Sequence, residues 1–480
     1  MSKNITCCIL AAGYGGRMGQ IGKSLNKSLI SINQKSAISR IIENFPLNTN
    51  FVIATGYRHD QVKRFLNISY PKLNIKFVKI KNFSGPKSGP GLSLLNCKKY
   101  LQRPFFFVSC DTLFNKNVVK RNLKYNFLGV GKRRRGFKDY CNLETHFGNV
   151  INIYDKQKPK KNYFNFSGLG FVYDFKNFWD FKINQIGNYK SFEISLIYKL
   201  FLKKSKVKVL KMYWDDIGTE KKLSTVRKKF ENYDFSKPDE QIYIENNKVI
   251  KFHSNYKLQN QKYKKSLLNQ NVFPKCKISK EFIYYPFQEG SNLYILNNPK
   301  IFSNYLSWLQ KELWIKKEIP KKELYKSCIK FYKQKTQDRV NLFLKNVGGK
   351  DTFLKINNIN YPHINKIMKK INYEKLSQTS IPTFIHGDLH FDNSIYNKKR
   401  KSFSLIDWRS DFAGNLKYGD KYYDLAKLYG GLIMDYSKIK KNEFSLKKNN
   451  NNYTYKFKSA MNYKKYINIY ENFLNNNNLD

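Results

Sequence analysis

Between residues 5 and 111, apolar runs alternate with amphipathic ones at a steady interval. ITCCIL (5–10), FVIATG (51–56), IKFVKI (75–80) and FFFVSCD (105–111) are short apolar runs of the kind that forms buried strands. Between them, SAISRIIENF (36–45), HDQVKRFL (59–66) and LSLLNCKKYL (92–101) repeat their apolar residues at helical spacing. Strands alternating with helices predict an α/β domain with a parallel sheet and crossover helices. The pattern continues more loosely through NFSGLGFVYDF (165–175) to KVLKMYWDDIG (208–218), and STVRKKFENYDF (224–235) reads as a closing helix.

SKPDE (236–240) is short, polar and contains proline, so the sequence predicts a boundary there: a first domain over 1–235 and a second over 236–480. QIYIENNKVIKFH (241–253) reads as a hairpin with Asn-Asn at its turn. Beyond 300 the character is mostly helical, as in IFSNYLSWLQKELWIKK (301–317). At 480 residues the chain exceeds one ordinary core, which agrees with two domains.

Composition alters this picture little. No run of 18 or more uncharged apolar residues occurs, so no membrane span is expected. MSKNITCCIL runs directly into a glycine-rich motif, leaving no room for a signal peptide. The seven cysteines are scattered and form no CxxC pair, which predicts reduced thiols and a cytoplasmic protein. The net charge of +54 by itself suggests a polyanion partner. Yet the lysines are spread along the whole chain, and they share A/T-rich codons with the abundant Asn, Ile, Tyr and Phe. Composition thus accounts for the charge, and nucleic acid is not expected as a partner.

The first candidate site is LAAGYGGRMG (10–19), placed after a strand and before KSLNKSLISI (23–32). Gly13, Gly15 and Gly16, with Ala12, expose backbone N–H groups suited to phosphates, and Arg17 and Lys27 supply positive charge. The spacing does not match GxxxxGK[ST], so this is no Walker loop. FFFVSCDTLF ends a strand on Asp111, where ligands gather in open α/β sheets, and YWDDIGTE (213–220) puts Asp216 before a Gly-Thr turn. INIYDKQKPKK (151–161) carries Lys158 before a proline.

In this order the set resembles the nucleotidyltransferases that activate sugar phosphates and phosphocholine (MobA-like NTP transferases). Their pattern is LAAGxGxRMG, a Lys-x-Leu, a strand ending in Asp, a Lys-Pro, and W-x-D-x-G-T; the likeness covers about residues 4–230. It implies a Rossmann-like fold, Arg17 and Lys27 on the triphosphate, Asp111 and Asp216 on Mg²⁺, and Lys158 on the acceptor phosphate. Asn26 and Gln157 stand where the family has Pro and Glu. SGPKSGPGLSLL (84–95) lies where the family contacts base or acceptor, and its specificity is not legible.

The second candidate is FIHGDLHFDN (384–393). His386 and His390 stand four apart, but the other histidines, at 59, 146, 253 and 363, form no spaced set with them, and zinc needs a third ligand. A catalytic Asp five residues before an Asn is a kinase spacing, and Asp388 and Asn393 have it. SIYNKKRKSFSLIDW (394–408) then reads as strand, turn and strand ending at Asp407.

Here the chain resembles the aminoglycoside phosphotransferase and choline kinase superfamily, with its HGDxHxxN and ID signature, followed by a helix like GDKYYDLAKLYGG (419–431). The resemblance implies a protein-kinase-like α+β phosphotransferase domain, with Asp388 as base and Asn393 and Asp407 on Mg²⁺. Lys251 would touch the ATP phosphates, and His386 would orient the loop. No Glu lies between 251 and 280 to pair with Lys251, and no GxGxxG precedes it.

Together the two likenesses predict a bifunctional enzyme that makes envelope glycan or lipid precursors. It would phosphorylate a small alcohol or sugar with ATP, then join the product to a nucleotide from an NTP such as CTP or UTP. Choline kinase with phosphocholine cytidylyltransferase is one pairing, and sugar kinase with sugar-1-phosphate nucleotidyltransferase, for capsule or lipopolysaccharide, is the other. The non-enzyme alternative is a nucleic-acid-binding protein on a degenerate kinase scaffold.

Overall fold

The computed structural model describes residues 5–119, 123–132, 136–159, 162–230, 236–346, 354–450, 452–457 and 463–479. The chain forms two compact units, Met1–Ser254 and Asn255–Asp480.

The first unit is built on a nine-stranded sheet. Its spatial order is Ile75–Lys79, Asn50–Thr55, Thr6–Ala11, Phe105–Ser109, Tyr163–Val172, Asn126–Gly131, Val207–Met212, Asn149–Asp155 and Cys141–His146. The first four are mutually parallel, as the alternating pattern predicts. The long strand Tyr163–Val172 then enters antiparallel to both of its flanking neighbours, so the sheet is mixed rather than wholly parallel. Every residue of Thr6–Ala11 is buried, as befits a central strand of a largely parallel region. On one face Cys8 and Leu10 join Phe105, Phe107, Tyr198 and Phe201 in a continuous core. The seven cysteines are all free thiols, and burial pushes those of Cys7 and Cys8 well up, so they act as small apolar residues.

The hairpin of Glu240–Glu245 and Lys248–His253 turns at Asn246-Asn247, both at positive φ, as the sequence predicts. Its place differs from the expected boundary at 235/236, for it belongs to the first unit. Ser31 N–H donates to Gln241 Oε1 at 3.0 Å, Ile244 N–H to the Gln34 carbonyl at 2.7 Å, and the Tyr243 hydroxyl to the Leu29 carbonyl at 2.6 Å. The Glu245 carboxylate accepts from Ser36 N–H (2.7 Å) and the Ser39 hydroxyl (2.6 Å). These bonds satisfy buried polar groups on both partners. The closing helix spans Glu220–Arg227; residues 231–235, which the sequence reads as its continuation, lie outside the described residues.

The second unit is mainly helical. Its described helices include Tyr256–Leu267, Pro299–Trp308, Lys321–Ile329, Lys335–Asn346, Lys421–Ile433 and Tyr463–Asn476. A small sheet of Ser291–Asn292, Ser394–Asn397 and Ser402–Leu405 interrupts them where the sequence predicts strand, turn and strand. Ile385, Phe331, Phe412 and Tyr418 pack in a core directly behind the 384–393 loop.

Candidate functional site

In the first unit, the strand Phe105–Ser109 leads through Cys110 to Asp111. The short strand that follows, Thr112–Leu113, pairs antiparallel with Asp215–Asp216, and Ile217 N–H donates to the Asp111 carbonyl at 3.1 Å. This ladder brings two carboxylates that are remote in sequence to one place. A Cβ added at Gly218 would lie 2.8 Å from Asp216 Oδ1, 3.5 Å from Asp111 Oδ2 and 3.6 Å from Lys27 Nζ. Glycine there keeps open a small space ringed by both acids and the lysine.

Lys27 is delivered by a buried turn. The Asn26 side chain donates to the carbonyls of Ala11 (3.1 Å) and Tyr57 (2.7 Å) and accepts from Ser28 N–H (2.9 Å). Asparagine in the family's proline position therefore pins the turn by hydrogen bonds. The Lys27 ammonium sits 2.5 Å from Asp111 Oδ2. Burial alone would raise the Asp111 pKa, but the Lys27 charge and hydrogen bond, helped by Arg17, hold it below the usual carboxylate value. Burial likewise works against the Lys27 charge, and Asp111 outweighs it. Asp216 is held by Lys222 Nζ (2.7 Å), the Tyr140 hydroxyl (2.9 Å) and Gly218 N–H (2.6 Å).

These groups face a cavity of about 300 Å³ lined by Arg17, Asp111, Asp216, Lys222, Tyr140 and Trp214, among others. Gly15 turns the glycine-rich segment at φ +69°, a conformation that favours glycine. Gly13 and Gly16 are exposed, whereas Ala12 is buried with its carbonyl accepting from Tyr57 N–H at 2.9 Å. Lys158 is exposed and does not line the cavity; Lys156, two residues earlier and at φ +54°, does. Lys222 and Tyr140 were not among the sequence candidates. In so lysine-rich a chain, one more lysine gives no signal until Asp216 is seen beside it.

Two carboxylates in a polar cavity fit Mg²⁺, which takes one or two carboxylates and completes its shell with water and phosphate oxygens. Among the described residues no group of three or more His, Cys, Asp or Glu is placed to hold a metal by itself.

In the second unit, the 386–393 loop is fastened from behind. The buried Asp424, on the helix Lys421–Ile433, accepts from the N–H groups of His386 and Gly387, both at 2.7 Å. Burial pushes its carboxyl up to about 6 despite these bonds. His386 is fully buried, which lowers its pKa to about 3, so its ring is neutral. Its Nδ1 accepts from Asp388 N–H at 3.2 Å, which leaves Nε2 as the protonated nitrogen, donating to the Ile406 carbonyl at 2.9 Å. Both ring nitrogens are thereby committed to the loop.

The Asn393 amide donates to the Asp388 carbonyl at 2.9 Å, and Ile406 N–H donates to the Asn393 carbonyl at 2.9 Å. Asp388, Asn393 and Asp407 are thus gathered on adjacent backbone, with Asp407 at φ +62°. The side-chain amide oxygen of Asn393 and the carboxylate of Asp407 are oxygen donors of the type Mg²⁺ prefers. Asp388 is half-buried and bound by Lys427 Nζ at 2.9 Å. Burial would raise its pKa, but Lys427 brings it below the usual value. Lys265, on Tyr256–Leu267, is also buried and donates to the His386 carbonyl at 3.3 Å; burial lowers its pKa to about 8. Neither lysine was a sequence candidate. Lys251, which was, lies buried on Lys248–His253 in the first unit.

The family model described as the MobA-like NTP transferase domain matches residues 7–125. No curated protein matches the chain. Among solved structures, the inositol-1-phosphate CTP transferase from T. maritima is 19% identical with a TM-score of 0.41, covering 47% of this chain and 94% of that one. The CTP:phosphocholine cytidylyltransferase from Streptococcus pneumoniae is 18% identical with a TM-score of 0.39, covering 47% and 99%. The N-terminal part of the chain thus carries an NTP transferase domain, set in a mixed α/β unit.

Proposed function

We propose that the chain is a bifunctional enzyme, a nucleotidyltransferase in its first unit and an ATP-dependent small-molecule kinase in its second. The observation that carries the first half is the convergence of Asp111, Asp216 and Lys27 on the space beside Gly218, within a domain of NTP transferase type. A phosphomonoester oxygen attacks the α-phosphorus of CTP or UTP, the bond from that phosphorus to the bridging oxygen breaks, and pyrophosphate leaves. Arg17 and Lys27 hold the triphosphate, and Lys222 orients Asp216. Bound between Asp111 and Asp216, Mg²⁺ would offset charge that develops on the reacting phosphates. Lys156 takes over from Lys158 as the candidate for the acceptor phosphate, because it lines the cavity.

The second half rests on the loop geometry. Asp388 takes the proton of an acceptor hydroxyl as that oxygen attacks the γ-phosphorus of ATP and ADP departs. Asn393 and Asp407 would hold Mg²⁺ on the phosphates, and His386 and Asp424 fix the loop. The product of the second unit is then the acceptor of the first, as envelope precursor synthesis requires.

The test is a matrix of nucleoside triphosphates against phosphorylated and free alcohols and sugars, following pyrophosphate and ADP separately. Pyrophosphate should appear only with a phosphomonoester, and ADP only with a free hydroxyl. Pyrophosphate without any acceptor preference, or ADP with none of the alcohols, removes the corresponding half.

A further inference from the structure

Two aromatic rings connect three basic side chains, one of which is bound to the base of the second unit. The Lys427 ammonium is 2.9 Å from Asp388 Oδ1 and 6.0 Å from the centre of the Tyr423 ring. Lys335 Nζ is 3.4 Å from the Tyr423 hydroxyl and 3.8 Å from the centre of the Phe331 ring. Arg409 lays its guanidinium over the same Phe331 ring at 4.9 Å. Its stem packs against the loop, for a Cβ at Gly387 would fall 2.7 Å from Arg409 Cβ. All three are half-buried.

Lys427 has Asp388, but among the described residues neither Lys335 nor Arg409 has a carboxylate at ion-pair distance. Both line a cavity of about 390 Å³. Asp411, also in its wall, is occupied by the Ser410 hydroxyl and Gly414 N–H, both at 2.8 Å. Asp338, on the same wall, is exposed. Burial, then the neighbouring Arg409, Arg339 and Lys427, lower the Lys335 pKa to about 7. Crowded cations with so little compensation are what an anion relieves. The cation–π contacts hold the charges in place without neutralising them.

We propose that Lys335, Arg409 and Lys427 form an anion-binding pole of the acceptor site, so that the alcohol phosphorylated by the second unit carries a phosphate or carboxylate group of its own. The inference rests on the kinase reading and narrows it: a quaternary ammonium such as choline would enter beside Arg409 and two lysines, only one of which has a carboxylate partner among the described residues. It also accounts for the Lys427–Asp388 pair. An acceptor anion competes for Lys427, which releases the Asp388 carboxylate to take the hydroxyl proton.

The experiment uses the full chain with ATP and follows ADP release with choline, neutral sugars, sugar phosphates and sugar acids. An anionic class should be preferred, and comparison of sugar phosphates with sugar acids separates the two sources of the anion. Lys335→Ala and Arg409→Ala should each raise the KM of that acceptor about 10- to 100-fold, the worth of one hydrogen bond to a charged group. ATP affinity should be unchanged and kcat should fall less than KM rises. Inorganic sulfate should compete with the acceptor and not with ATP, and should lose that effect in Lys335→Ala. If choline or a neutral sugar is preferred and its KM is indifferent to Lys335→Ala, the anion pole is wrong while the kinase stands. If sulfate competes with ATP, the three cations belong to the nucleotide phosphates and the proposal fails. If no acceptor yields ADP and ATP does not bind, the kinase reading itself falls, and this inference with it.

Discussion

Lys27 forms an ion pair of 2.5 Å with Asp111, which lines the first unit's cavity, and each holds the other in its charged state against burial. Removing one partner leaves a buried, uncompensated charge. Lys27→Met should therefore raise the Asp111 pKa, and the acid limb of the pH–rate profile for pyrophosphate release should move to higher pH. Asp111→Asn should lower nucleotidyl transfer by about 10²–10³-fold, the usual loss when an electrostatic stabiliser is removed. Because Asp388, Asn393 and Asp407 lie in the other compact unit, ATP-dependent phosphorylation should be untouched in both variants. Loss of both activities in a folded variant would argue against two independent sites.

Asp388 and Asp407 should separate into chemistry and binding. Asp388→Asn keeps the size of the side chain but removes its basicity, and general-base catalysis typically supplies roughly 10²–10⁴-fold. Phosphorylation should fall by about that factor with ATP affinity little changed. Asp407→Asn should weaken Mg·ATP binding itself. Titration of ATP against each variant, together with single-turnover rates, distinguishes the two. Full activity in Asp388→Asn would remove the base.

The juxtaposition of residues in both candidate sites was partly legible because the motifs are local. Asp388 and Asn393 belong to one loop, and five residues of spacing define it. The glycine-rich turn and Asp111 follow directly from apolar strands whose ends the pattern marks. What was not legible depends on long-range contact. Lys427 reaches Asp388 from a later helix and Lys335 meets Tyr423 through tertiary packing, while Lys222 lies only six residues from Asp216 but in no motif that marks it. With 89 Lys and Arg in the chain, no local pattern distinguishes these from solvated lysines. The sequence places the boundary at SKPDE, whereas the compact units divide after Ser254. SKPDE is a proper loop, but only contacts such as Glu245 to Ser36 and Ser39 reveal that the hairpin beyond it packs backward. Lys158 and Lys156 show the limit of a motif: the backbone turn at Lys156 decides which lysine lines the cavity.

His386 gives the second unit a defined acid sensitivity. Burial holds its ring neutral down to about pH 3, whereas in the unfolded chain it takes up a proton below about pH 6.5. The stability it contributes is fully present above pH 6.5 and is lost as the pH falls toward 3, at up to about 1.4 kcal/mol per pH unit. Asp424, raised to about 6, acts oppositely in part of that window, since a raised carboxyl loses stability as the pH rises from 3.8 through 6. Comparison with His386→Gln isolates the histidine. Urea unfolding of the two proteins between pH 7.5 and 4.5 should show a steeper acid loss in the parent. Parallel slopes would mean that the ring is protonated in the folded state.

The last prediction tests the space beside Gly218. Its φ lies outside the left-handed region, so alanine brings no backbone strain, and the effect of Gly218→Ala reports the added methyl alone. That methyl would fall 2.8 Å from Asp216 Oδ1, inside van der Waals contact, and close to Asp111 Oδ2 and Lys27 Nζ. Asp216 cannot swing away freely, because Lys222, Tyr140 and Gly218 N–H hold it. The methyl must then displace the carboxylate or occupy the ground that a cation and triphosphate oxygens would share. The fold should survive, with a Tm close to that of the parent, and phosphorylation by the second unit should not change. Mn²⁺ binding in the presence of nucleotide, read by paramagnetic relaxation of water, should weaken, and pyrophosphate release should fall by about 10²-fold or more. A variant that keeps both would show that the cation and the triphosphate lie elsewhere, and that Asp111, Asp216 and Lys27 are a structural cluster.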